Sequence, residues 1–219
     1  MTYKLSSLIL AIVLLVVALP FDSFAQAHWQ SEPLHSEPKQ SKDSSHRVKA
    51  DKMKNRTMII DFKQPNEWTK WQIVNDGVMG GKSQGTITSI GNHGVFSGDI
   101  SLENNGGFSS TLRPIKPLEQ GFDHLLIDIE GDGLTYQLRA VVYINGYRLA
   151  YKHDFTTMKQ KREQLRLPLA NFKASFRGRI ISDAPPLVSE NIAEIGVLIT
   201  NKRAGQFNLH IHSVAAYQD

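Results

Sequence analysis

Asn145-Gly146 stands between two runs of alternating apolar and polar residues, and this arrangement constrains the fold more than any other feature of the chain. Both central positions of a type I′ turn need positive φ, which asparagine and glycine tolerate, so the pair predicts a two-residue hairpin. Pairing outward from the turn sets Ile144 opposite Tyr147, Val142 opposite Leu149 and Ala140 opposite Tyr151, all on one face. The other face then carries Tyr143 beside Arg148 and Arg139 beside Lys152. Turn chemistry and hydrophobic pattern agree on one register, and a slip of one residue would turn every apolar side chain outward.

The same period of two runs through the C-terminal three quarters of the sequence. Phe96, Ile100 and Leu102 alternate with Ser97, Asp99, Ser101 and Glu103; Ile195, Val197 and Ile199 repeat the pattern, as do Phe207, Leu209 and Ile211. Short half-buried strands separated by Gly/Asn/Asp turns predict an all-β fold, an antiparallel β-sandwich or jelly roll. The best local helical segment, Ser189–Glu194, is short. A second turn signal, Asn104-Asn105-Gly106-Gly107, predicts a hairpin with a three-residue loop at 105–107. That register would place Leu102 opposite Ser110, Ile100 opposite Leu112 and Asp99 opposite Arg113, the last a favourable cross-strand ion pair.

The N-terminus carries an address. Lys4, the apolar run Leu5 to Leu19, the helix-breaking Pro20 and the small-x-small Ala25-Gln26-Ala27 predict a cleaved signal peptide over 1–27. The apolar run is shorter than the roughly 20 residues that span a bilayer, which argues against a retained anchor. Residues 28–56 are polar, mixed in charge and poor in groups to bury, so they read as a disordered linker, leaving 57–219 as one β-sandwich domain. The chain has no cysteine. Disulfides and a lipid-modified cysteine are thereby excluded, and the expected location is periplasmic or secreted, with no stable membrane insertion after cleavage. A formal net charge of +4 spread over scattered residues gives no nucleic-acid footprint. The small clusters Lys159-Lys161-Arg162 and Lys202-Arg203 read as solvated surface, with an anionic partner as the other reading.

Four groups of residues invite a chemical reading. Gly81-Lys82-Ser83-Gln84-Gly85 fits G-x-S-x-G, but that motif exposes its serine only where a strand turns into a helix, and β-branched Thr86-Ile87-Thr88 follows here. His210 and His212 share a strand face and would begin a metal site only with a third ligand, for which His153 and Asp154 are the candidates. Asp128, Glu130 and Asp132 approach from one direction, which suits solvent or a cation better than the opposed carboxylates of glycoside hydrolysis. Arg139 opposite Lys152 is the fourth: like charges across a ladder repel, so either they splay into water, or Asp154 lies between them, or they form with Gln137 and Tyr143 a polar floor for an anionic or hydroxylated ligand.

Trp68-x-x-Trp71, Asn75-Asp76-Gly77-Val78-Met79-Gly80-Gly81, Asn104-Asn105-Gly106-Gly107-Phe108, Gly131-Asp132-Gly133 with Tyr136 and Arg139, and Leu167-Pro168-Leu169-Ala170-Asn171-Phe172 follow one another in order. In that order and number they resemble the complex I intermediate-associated protein 30 family over most of 59–214. The resemblance implies a galactose-binding-like β-sandwich, with 75–81 and 104–108 as its signature loops. It also implies a role in assembling respiratory complex I, but the N-terminal export signal differs from an Arg-rich transit peptide, so that role does not transfer directly.

Sequence and resemblance together predict a non-catalytic exported module that binds a protein partner or assists assembly at the cell envelope. A carbohydrate-binding module, using Trp68, Trp71, Tyr143 and Tyr147 as stacking rings, is the alternative, and a hydrolase the third. The candidate contact residues are Asn75, Asp76, Met79 and Lys82 in the first loop, Asn104, Asn105 and Phe108 in the second, and Gln137, Arg139 and Lys152 on the hairpin. No catalytic residue, metal ligand or cofactor is assigned.

Overall fold

The computed structural model describes residues 56–176 and 178–219. The expected signal peptide and all of the expected linker except Arg56 lie outside these residues; Arg56 itself opens the first strand. In chain order the strands are β1 (Arg56–Asp61), β2 (Gln72–Asn75), β3 (Gln84–Ile90), β4 (His93–Ile100), β5 (Ser109–Pro114), β6 (His124–Glu130), β7 (Thr135–Ile144), β8 (Tyr147–Thr156), β9 (Arg162–Pro168), β10 (Lys173–Phe176), β11 (Arg179–Ile180), β12 (Glu194–Ile199) and β13 (Gly205–Tyr217). Among the described residues the only helices are single 3-10 turns, one of them Ser189–Asn191 within the segment read as locally helical.

The strands form two antiparallel sheets. One runs β3-β4-β13-β6-β9, with β1 also paired to β13, and the other runs β11-β10-β8-β7-β12-β5-β2. Alternation then decides what is buried. Phe96, Ile100, Ile127, Ile129, Leu209 and Ile211 point inward from the first sheet and meet Tyr136, Leu138, Ala140, Ile195, Val197 and Ile199 from the second. At one end of the sandwich Arg113, on the inner face of β5, places Nε 2.6 Å from Oε1 of the buried Glu67.

The Asn145-Gly146 hairpin forms in the predicted register: Ile144 pairs with Tyr147, Val142 with Leu149, Ala140 with Tyr151, Tyr143 with Arg148 and Arg139 with Lys152. Asn145 has φ 50° and Gly146 φ 81°, as a type I′ turn requires. The second predicted hairpin does not form. β4 pairs with β3 and β13, whereas β5 pairs with β2 and β12, so Asp99 lies opposite Gln84 and Gln206 and never meets Arg113. The Asn104–Gly107 segment carries the chain from one sheet to the other. Its positive φ values at Asn104, Asn105 and Gly107 serve that crossing, and Leu102, expected on the core face, is exposed.

Candidate functional site

Asp76 organises the two glycine-rich loops. It is fully buried, and its carboxylate accepts the Ser83 N–H at 2.8 Å, the Ser83 hydroxyl at 2.5 Å, and the Gly107 and Phe108 N–H groups at 2.6 and 3.2 Å. Burial alone would raise its pKa, but these donors outweigh burial and hold the carboxyl below its ordinary range. Next to it the Asn75 side chain accepts from the Gly85 N–H and the Ser109 hydroxyl. Asn104 donates to the Gly80 carbonyl, and Lys82 pairs with Glu103.

The two loops therefore pack against each other. Asp76 belongs inside this knot and not on a contact surface, which corrects its expected role: a carboxylate with four protein donors has nothing left to offer a partner. Asn75, Asn104 and Lys82 are engaged by the protein in the same way. Phe108 is half-buried and ties β5 to Asp76 through both its N–H and its carbonyl. Asn105 is exposed, and Met79, 72% exposed, stands with Val78 at the loop tip. Ser83 is buried with its hydroxyl on a carboxylate and not on an imidazole, so the G-x-S-x-G string holds no nucleophile.

The other candidate chemistry resolves in the same direction. Asp128 is held by a bidentate pair with Arg162 at 2.8 and 2.9 Å and by Gln164 at 3.1 Å. Asp132 accepts from the Leu134 and Asn208 N–H groups and from the Tyr136 hydroxyl, whose pKa burial and this carboxylate raise. His210 and His212 do find a third histidine, but it is His93: its ring lies 4.6 Å from His210 and 5.2 Å from His212. The expected partner His153 lies on the other sheet, against Phe172. Among the described residues no group of three or more acidic, histidine or cysteine side chains could hold a metal ion.

The remaining predicted residues come together on the outer face of the seven-stranded sheet. Arg139 and Lys152 are paired across β7 and β8, and Gln137 lies two residues along β7. Arg139 is half-buried, and among the described residues its guanidinium makes one hydrogen bond, from Nη1 to Gln137 Oε1 at 3.1 Å. Burial, and after it the charge of Arg148, draws its pKa down against the opposing pull of Asp154. Asp154 forms no ion pair with either cation, so it does not bridge them. Further along the face Glu194 accepts from the Tyr143 hydroxyl at 2.6 Å and from Arg148 Nε and Nη2 at 3.2 and 2.7 Å. Sequence reasoning paired Tyr143 with Arg148 but missed Glu194, because β12 reaches β7 only through non-local pairing. Of the candidate stacking rings, Trp71 is buried against Phe62, Trp68 is 42% exposed, and Tyr143 and Tyr147 are 55% and 78% exposed.

Among known proteins, the family model described as Complex I intermediate-associated protein 30 (CIA30) matches residues 60–211. An uncharacterized protein of Schizosaccharomyces pombe is 27% identical over 183 residues, which cover 73% of this chain and 84% of the yeast protein. The mitochondrial complex I intermediate-associated protein 30 of Mus musculus is 21% identical over 189 residues, covering 76% of this chain and only 58% of the mouse protein. A family 11 carbohydrate-binding module from Clostridium thermocellum, solved with a beta-1,3-1,4-mixed-linked tetrasaccharide, aligns with a TM-score of 0.57 at 16% identity, over 75% of this chain and 96% of the module. The family 11 module of the cellulosomal cellulase Lic26A-Cel5E aligns at 0.55 with 18% identity, over 75% and 95% of the two chains. At such identities the likeness is one of fold.

Proposed function

The chain belongs to the complex I intermediate-associated protein 30 family, and from that membership we propose that it is a non-catalytic binding module, exported to the cell envelope, that docks a protein partner on the outer face of its seven-stranded sheet. The observation that carries this reading is Arg139. A half-buried guanidinium whose one partner among the described residues is an amide leaves most of its donor fork unused, and such a group gains most from a partner that brings the missing acceptor. The mouse relative is named for association with a complex I intermediate, which supports a role through protein contacts. The signal peptide expected over 1–27 supports a place in the periplasm or beyond. The binding surface is then Gln137, Arg139 and Lys152 with Tyr143 beside them, while the glycine-rich loops hold the sandwich together.

The test is affinity capture from envelope extract with the wild type and an Arg139→Gln/Tyr143→Ala variant. A partner retained by the wild type and lost by the variant, whose circular dichroism is unchanged, is the expected result. Equal retention, or nothing above background with the wild type, overturns the reading.

A carbohydrate ligand is the second reading, favoured by the exposed rings of Tyr143 and Tyr147 and by the fold shared with a module solved on a tetrasaccharide. Trp71 cannot contribute, because it is in the core. A blank glycan array, or binding indifferent to Tyr143→Ala and Tyr147→Ala, removes it.

A further inference from the structure

The register of the seven-stranded sheet sets Lys173 of β10 directly opposite Lys152 of β8, and Lys152 directly opposite Arg139 of β7. Neighbouring strands lie about 4.8 Å apart, so three positive charges stand abreast within about 10 Å on one face. Like charges directly opposite on a ladder destabilise it. Relief within the fold is partial: Asp154 acts on Arg139 as a nearby opposite charge and Gln137 accepts one of its N–H groups, but among the described residues none of the three has an ion pair. Glu194, on the same face, is held by Arg148 and Tyr143. Asp154 lies one row along β8 and reaches neither cation as an ion pair. On its β12 side Arg139 faces Gly196, over which Leu112 of β5 leans, an apolar neighbour that brings no acceptor.

We propose that the row Lys173, Lys152 and Arg139 binds the carboxylates of an extended acidic peptide segment of the partner, laid across the strands; this rests on the reading of the same sheet face as the docking surface. Two flexible ammonium groups and one planar guanidinium fork supply the chemistry. The fork fits a carboxylate through two parallel N–H donors, and the lysines follow as point charges that tolerate variation in where the next acid falls. A sugar chain fits the row less well, because the exposed tyrosine rings of this face lie away from it. Tyr143 lies two rows along β7 with its hydroxyl on Glu194, and Tyr147 is at the hairpin tip.

The probe is fluorescein-labelled hexaglutamate, titrated into the purified protein at low and at physiological salt. Saturable binding that weakens about tenfold with added salt is expected, as for partly exposed charge pairs. Lys152→Gln/Lys173→Gln removes two charges from the row and is expected to weaken binding about tenfold. Lys159→Gln/Lys161→Gln removes the same charge from the exposed turn before β9 and stays within about twofold of wild type. Absence of saturable binding, equal loss in both variants, or tighter binding of polygalacturonate than of hexaglutamate overturns the proposal. If Lys152→Gln/Lys173→Gln still captures the envelope partner that Arg139→Gln/Tyr143→Ala loses, the row fails as the reader of that partner while the docking face stands. If neither variant loses the partner, both fall.

Discussion

The carboxylate of Asp76 accepts the backbone N–H of Gly107 at 2.6 Å and so joins two loops that the sequence places 31 positions apart. One loop closes the entry to β3, and the other carries the chain between sheets. The same carboxylate also takes the Phe108 N–H and both donors of Ser83, so one side chain fixes the geometry of a whole end of the sandwich.

Asp76→Ala strands those donors in a buried site. Each buried donor left without a partner costs about 1–3 kcal/mol, so a total loss of about 3–5 kcal/mol is expected after partial relaxation. Asp76→Asn keeps the volume and one acceptor oxygen and should recover part of the loss. Urea unfolding measures both. A loss under about 1 kcal/mol in the alanine variant would mean that the loops hold together without this hub.

The pH dependence follows from Asp76 in the loop hub and from groups on the sheet that holds β4, β6 and β13. In Asp76 the loop donors outweigh burial, and in Asp128 the Arg162 hydrogen bonds outweigh burial, so both folded pKa values lie below the unfolded 3.8. The unfolded chain therefore binds these protons first, and stability that is complete above that value is lost as pH falls through the folded ones. His93 is lowered by burial and then by His210, and His212 by burial and then by Arg162, with Glu130 opposing in both and Asp128 also in His212. Both lie below 6.5, so the sign is the same. Thermal midpoints should fall in two steps, one starting near pH 6.5 and one below about pH 4. His93→Gln/His212→Gln should remove the upper step alone; an unchanged upper step would assign it to other groups.

The two tryptophans of Trp68-x-x-Trp71 part company in the fold. Trp71 is buried and stacks on Phe62 with ring centroids 5.7 Å apart, whereas Trp68 sits half in solvent on a 3-10 turn. Trp71→Ala should cost about 3–5 kcal/mol through the cavity it leaves. Trp68→Ala should stay within about 1 kcal/mol. Denaturation of the two variants side by side decides between this division and a shared surface role.

What could be read in advance follows how local each signal is. Asn145-Gly146 fixed its own hairpin because two adjacent residues carry both the turn and the register. Asn104-Asn105-Gly106-Gly107 carries equally strong backbone preferences, but positive φ marks only a change of direction. Whether the next strand pairs with the last one is decided by β13, about a hundred residues on, which takes the edge that β5 would have needed. The binding face shows the same division. Arg139 and Lys152 were legible as an uneasy pair because one hairpin holds both. Lys173 and Glu194 reach the face on β10 and β12, and no local pattern announces either. His93 joined His210 and His212 for the same non-local reason.

Glu194 offers a prediction in the direction of gain. Its carboxylate is mostly buried and is held below its usual pKa by Arg148 and Tyr143 against the effect of burial, so at neutral pH it cancels the charge of Arg148. Glu194→Gln keeps the shape of the side chain and removes that charge, leaving Arg148 as a further cation on the face that carries Arg139. If the row works by charge, hexaglutamate should bind about two- to fivefold more tightly at low salt, and the gain should vanish at high salt. Stability should fall by about 1 kcal/mol, because an ion pair with hydrogen bonds gives way to neutral ones. Unchanged affinity in a folded variant would mean that the face does not act through its summed charge, and the acidic segment would then have to be recognised by Arg139 geometry alone.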